Sequence, residues 1–182
     1  MALLLDRIRE RSKDPARATS MGRVTTYPPT TLAAVEAAEA KMGLRLPPLL
    51  REIYTQIANG GVGPGLGLVG VAGSPYCPCW FAYTVDGVDL AEAYLDFASS
   101  EDWPVGLVPI CDWGCAYFSA VDCADPRFPV VFCGQAWAPH SPSFDAWIED
   151  WLNDVDLWER GNDAEWAVIE QERASQDDPG GR

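Results

Sequence analysis

Leu44-Arg-Leu-Pro-Pro-Leu-Leu-Arg-Glu-Ile-Tyr-Thr-Gln-Ile-Ala-Asn-Gly-Gly61 is the stretch on which the reading of this chain turns. Pro47 and Pro48 suit the first turn of a helix, where no N–H is needed and φ is already near the helical value. Leu49, Leu50, Ile53, Tyr54 and Ile57 then recur at helical period, with Arg51, Glu52, Thr55 and Gln56 on the other side. Asn59-Gly60-Gly61 supplies residues that tolerate a left-handed backbone, so the helix ends there and the chain reverses. The stretch predicts a short helix that buries one face.

Upstream, Leu32 to Met42 is alanine-rich with high helix propensity, Thr30 or Thr31 can cap it, and Gly43 ends it. Two helices joined so closely are expected to pack as a corner. Residues 2–11 predict a further short helix with Leu3, Leu4 and Ile8 on one side. Ser12 to Pro29, with its turn formers and Pro28-Pro29, reads as a linker or a strap over the surface.

Downstream, Gly61 to Gly73 alternates glycine with Leu66, Leu68, Val69 and Val71, which suits a strand or strand-like loop close to other backbone. Gly65-Leu-Gly67-Leu-Val-Gly70 also spells a dinucleotide-binding fingerprint, but a helix precedes it where a strand is required. Ser74 to Thr84 reads as a turn leading into an aromatic strand. A helix is expected from Asp86 or Gly87, with Leu90, Ala91, Tyr94, Leu95 and Ala98 inward and Asp89 outward. Three strands are expected at Leu107–Cys111, Cys115–Cys123 and Pro129–Cys133, paired as an antiparallel meander. From Phe144, with Ser143 as cap, Phe144, Trp147, Ile148, Trp151, Leu152 and Val155 form an amphipathic stripe. The opposite face carries Asp145, Glu149, Asp150, Asp154 and Asp156 and no basic residue. A last helical stretch is expected around Trp166, and the end of the chain is expected to be disordered.

With 182 residues, of which 48% are apolar, there is material for one domain with a substantial core. The net charge of −14 is unevenly spread: residues 1–60 carry +3 and residues 61–182 carry −17. Such acidity repels nucleic acid and anionic membrane and speeds encounter with a basic partner; acidity for solubility alone is the plainer alternative. Ala2 to Leu5 are only four apolar residues before the first charge, too few for a signal-peptide core, so the cytosol is the expected compartment. Residues 53–85 lack any charge, yet their seven Gly and three Pro argue against a membrane span.

The six cysteines, expected to be reduced in the cytosol, exceed the four ligands of a structural zinc. Their spacing is poor for a zinc knuckle, and Cys115 and Cys123 fall on one face of a proposed strand, where thiols serve as small apolar fillers. His140, the only histidine, sits in Ala-Pro-His-Ser-Pro, read as a loop, and no nucleophile motif surrounds any cysteine. Neither catalytic nor metal-ligating residues are assigned, and no cofactor is expected. A zinc or thiol protein stays as the third reading.

The ordered set of motifs resembles the SUKH superfamily, the group of the fungal Smi/Knr regulators and many bacterial immunity proteins. The resemblance rests on Leu44 to Gly61, on Trp103-Pro-Val-Gly-Leu-Val-Pro-Ile110, Asp112-Trp-Gly-Cys-Ala-Tyr-Phe118, Val121-Asp122 and Val130-Val131, and on Ser143-Phe-Asp-Ala-Trp-Ile148. It covers residues 30 to 158; residues 1–29 and 61–85 depart from the pattern. It implies a single α+β domain, over residues 30–160, with a central and mainly antiparallel twisted sheet flanked by helices. Residues 1–29 would add an N-terminal helix and strap, and 161–182 a C-terminal extension. It also implies a non-enzymatic immunity protein that binds and neutralises a secreted, nuclease-like toxin. The alternative is an intracellular scaffold or regulatory module of the Smi/Knr type without a toxin. The matching residues are structural and transfer no binding site. Counting charge makes Asp86, Asp89, Glu101, Asp102, Asp112, Asp122 and Asp125, the acidic face at Asp145, Glu149, Asp150, Asp154 and Asp156, and an exposed Trp113 the expected contacts for a basic partner.

Overall fold

The structure, a computed structural model, describes residues 2–21, 26–71 and 89–177. The proline-started helix is present as α3 (Pro48–Gln56), with Leu49, Leu50, Ile53 and Tyr54 fully buried. Each such side chain contributes about 1.5–3 kcal/mol by leaving water. Before it come α1 (Ala2–Ser12) and α2 (Leu32–Met42). Thr31 caps α2 by accepting from Ala34 N, and Gly43 closes it in the left-handed conformation. The expected corner between α2 and α3 is held by a buried carboxylate: Glu39 Oε1 accepts from Leu46 N (2.9 Å) and Oε2 from Arg45 (2.9 Å).

Beyond α3 the chain turns back along itself. The Asn59 side chain behaves like a piece of strand, accepting from Val71 N (2.9 Å) and donating to Val71 O (3.2 Å). Tyr54 hydroxyl donates to Val69 O. The glycine-rich segment forms no nucleotide loop. It runs along the edge of the sheet as a strand-like loop, with Val69 N donating to Ile110 O and Leu66 N to Asp112 O, both at 2.9 Å. Gly65 has φ +58, and a Cβ there would lie 2.5 Å from Asp112 O, so close approach of two backbones explains the glycine. On the other side the strap is tied down: Gly63 N donates to Ala18 O (2.9 Å) and Met21 N to Gly65 O (3.1 Å).

The helix expected from Asp86 or Gly87 begins at Leu90 as α4 (Leu90–Phe97). Asp89 is its N-cap, accepting from Ala91 N and Glu92 N in a reciprocal capping box, and not an outward helix residue. Three apolar positions also face differently from expectation. Leu95 and Ala98 are exposed while Ala93 is buried, and in α1 Leu3 is exposed while Leu5 joins Ile8 inside. The aromatic strand expected at 74–84 and the disordered end lie outside the described residues.

The meander is present with one strand more than expected. β1 (Leu107–Gly114), β2 (Tyr117–Asp122), β3 (Val130–Cys133) and β4 (Trp137–Ser141) form an antiparallel sheet in the order β1-β2-β3-β4. β4 holds the Pro139-His140 segment read as a loop. Cys115 belongs to the β1–β2 turn, where Gly114, Cys115 and Ala116 all have positive φ, so it shares no strand face with Cys123. One sheet face enters the main core through Val108, Ile110, Val121, Val130 and Phe132. The other carries Leu107, Phe118, Ala120 and Cys133, partly covered by Phe97 and Trp103. α5 (Phe144–Leu152) starts at Ser143 as expected and buries Phe144, Trp147, Ile148 and Trp151. It stops before Val155, which is exposed, because Asp154 turns the chain at φ +58.

The helical stretch around Trp166 is part of a long α6 (Leu157–Asp177) that lies on β3 and β4. Three contacts seat it. His140 Nε2 lies 2.9 Å from Leu157 O, while Nδ1 lies 3.1 Å from Ser119 Oγ, so the imidazole bridges strand and helix. The buried Glu165 carboxylate accepts from Ala136 N (2.9 Å) in the β3–β4 turn. Gly161 has no Cβ, and one built there would run into the Phe132 ring.

Two outcomes follow from this seating. Gly161→Ala gains about 1 kcal/mol of helix propensity, yet is expected to lower the urea midpoint, because overpacking costs about 1–3 kcal/mol; a raised midpoint would contradict the contact. Burial, foremost, depresses the His140 pKa to about 4. The unfolded chain takes up this proton below about pH 6.5 and the folded chain only near pH 4, so stability is full above that window. About 3 kcal/mol is expected to be lost as pH falls from 6.5 to 4. His140→Gln should flatten this slope in urea titrations at a series of pH values, and an unchanged slope would remove His140 as its source.

Candidate partner-binding surface

The acidic residues singled out by charge divide into four groups once placed. Asp86 lies outside the described residues. Asp112 and Trp113, expected as contacts, are inside: Asp112 is 0% exposed and Trp113 is 3% exposed. Asp112 Oδ1 accepts from Gly114 N (2.6 Å), shaping the β1–β2 turn, and Trp113 Nε1 donates to Ser119 Oγ (2.9 Å). Trp113 was expected as an exposed aromatic beyond a strand ending at Cys111, but β1 runs on to Gly114 through bulges at Pro109/Cys111 and Asp112/Gly114, which carries Asp112 and Trp113 inside.

A second group shapes turns. Asp89 caps α4, Asp122 Oδ1 accepts from Ala124 N (2.9 Å), and Asp156 Oδ1 accepts from Glu159 N (2.9 Å) at the start of α6. Asp125 binds Arg127, whose hydrogen bonds bring its pKa down to about 2. These carboxylates already have donors. Glu101 and Asp102, in the turn after α4, are exposed.

The α5 face is where structure changes the reading most. Its carboxylates are met by arginines from the start of the chain, 137 or more positions away. Arg7 lies 3.6 Å from Glu149 and bonds Asn153 (2.7 Å); Arg11 and Arg17 lie 2.7 and 3.0 Å from Asp154. Hydrogen bonding and charge from Arg11, then Arg17, hold the Asp154 carboxyl below the usual range. Asp150 is paired with Arg160 at 2.6 Å. Partial desolvation raises the Asp145 pKa, and Asp145 has no basic partner among the described residues. An apparently uniform acidic face is thus largely neutralised from within.

Where the strap, the β1–β2 turn and the α5–α6 corner meet, there is a cleft of about 650 Å³. Trp113, Tyr117, Trp151 and Trp158 line it, with Arg11, Asp154 and Asp156 also at its surface. The Arg11 guanidinium stands 4.5 Å over the Trp151 ring, in cation–π range. A second groove of about 730 Å³ on the outer sheet face is lined by Val105, Val131, Trp137 and Pro139 among others. Sequence reasoning passed over the carboxylates of α6: Glu159, Asp163, Glu170 and Glu172. Their spacing was readable, but the helix was expected to be a short stretch, so its faces were not considered.

Both ring nitrogens of His140 are engaged by Ser119 and Leu157 O, so it pairs with no cysteine. Burial, first of all, pushes the Cys111 thiol well up and that of Cys123 up to about 12, leaving both protonated. Among the described residues no group of three or more His, Cys, Asp or Glu is placed to hold a metal ion, and no helix is long and apolar enough to cross a membrane.

The model of the SMI1/KNR4 family (SUKH-1) matches residues 29–150, about two thirds of the chain. No curated protein and no solved structure matches it.

Proposed function

The chain belongs to the SMI1/KNR4 (SUKH-1) family, and from that premise we propose that it is a non-enzymatic immunity protein of the cytosol. It binds a basic, nuclease-like toxin and neutralises it by complex formation. The observation that carries the reading is the family together with the −17 of residues 61–182. A nuclease domain must present positive charge to its phosphate substrate, and an acidic surface meets that charge with steered association. The same acidity disfavours nucleic acid or an anionic bilayer as the partner. Glu101 and Asp102 remain open to such a partner, whereas Asp112 and Trp113 do not.

Co-expression with the protein encoded beside it tests the proposal. The expected result is rescue of growth from that toxin and co-purification of the pair. Reversing Glu101 and Asp102 together should slow association at low salt and flatten its salt dependence. Unrelieved toxicity, with a different cytosolic protein retained in the purified complex, would instead favour a Smi/Knr-type scaffold.

A further inference from the structure

α6 carries six carboxylates against two arginines. Of these, Glu165 is buried against Ala136 N and Arg160 is spent on Asp150. Glu159, Asp163 and Glu170 have no basic partner among the described residues, in contrast to the arginine-paired face of α5. Together with Trp166 they fall at offsets 0, 4, 7 and 11, which places them on one face over about 16 Å of helix. Trp166 is 50% exposed and Trp158, one position before Glu159, is 38% exposed. Trp158 packs one side of its ring on Tyr117, Phe132 and Trp113 and leaves the rest open, whereas Trp166 lies half exposed among carboxylates that have no basic partner among the described residues. The helix beneath them is held by His140, Glu165 and the Gly161 contact, so the stripe is displayed on a rigid support.

The aromatic cleft adjoins this stripe through Trp158. It already holds one guanidinium: Arg11 lies over Trp151 and 2.7 Å from Asp154. Indole face plus carboxylate is therefore an arrangement this corner of the molecule uses to bind a cation. We propose that the solvent face of α6, Glu159, Asp163, Trp166 and Glu170 with Trp158 at the cleft mouth, is the docking surface for an arginine-bearing segment of a basic protein partner. Guanidinium groups stack on the indoles and pair with the carboxylates, two interactions that act on the same planar cation. The α5 face takes little part, because a partner would first have to displace the arginines at Glu149 and Asp154, and Asp145 is partly desolvated. The inference rests on the immunity reading for the identity of the partner, while its surface chemistry stands on the charges and rings described.

The test uses the full chain with nitrogen-15-labelled indoles, titrated with a short polyarginine peptide and, separately, with polyglutamate. Polyarginine is expected to shift the Trp158 and Trp166 indole signals at low salt, and polyglutamate to shift neither. The variant E159K/D163K/E170K, altered only at exposed positions, should weaken polyarginine binding by about tenfold or more, and D145K/E149K by less than about twofold. Signals shifted only elsewhere, or equal losses in both variants, would overturn the proposal. The same variants are then offered to the adjacent toxin. A toxin that binds wild type and the α6 variant equally well sinks this surface and leaves the immunity reading intact. A toxin that binds no form, with polyarginine still selecting α6, removes the immunity reading and keeps the surface.

Discussion

The close contact between the end of α3 and the returning segment 66–71 is the constraint on which the rest of the architecture depends. Asn59 pairs with the Val71 backbone, Tyr54 hydroxyl bonds Val69 O, and a Cβ on Gly60 would lie 3.0 Å from Gly70 N. These contacts leave no room for side chains between the two stretches of chain. They bring Leu66 and Val69 against the edge of β1, which closes an otherwise open sheet edge with backbone hydrogen bonds. They also set the apolar stripe of α3 against the core, so that α1, α2 and α5 meet a fixed surface.

Much of this was legible beforehand, and the misses share a cause. Helices announced by period and punctuation are where expected: α2 with Thr31 and Gly43, α3 with its prolines, α5 with Ser143. β4 was missed because Pro139 and His140 read locally as loop residues, whereas the sheet uses His140 as a polar bridge between Ser119 and α6. Trp113 reads as exposed because the expected strand stops at Cys111, whereas β1 continues through its bulges to Gly114 and takes the indole inside. Local pattern reports on neighbours in sequence, and these residues are governed by neighbours in space.

The same limit applies to charge. Read along the chain, α5 is the acidic helix and α1 the basic one, and each looks like a surface awaiting a partner. In the folded chain they answer one another through Arg7, Arg11 and Arg17. Exposed ion pairs of this kind add little to stability because water screens them, so they matter more for the potential they cancel. Among the described residues, the acidity of α6, of the turn at Glu101-Asp102 and of Asp145 is left without such an answer.

The pairing of α1 with α5 also sets a timetable for synthesis. Arg7 reaches Asn153 across 146 positions of sequence, and Ile8 needs a core whose later walls include Trp147 and Trp151. At about 5–20 residues per second, a ribosome takes roughly 7–30 s to deliver those partners after α1 has emerged. Throughout that interval Leu5 and Ile8 lack the α5 wall of their site, so α1 completes its packing only after α5 has been made.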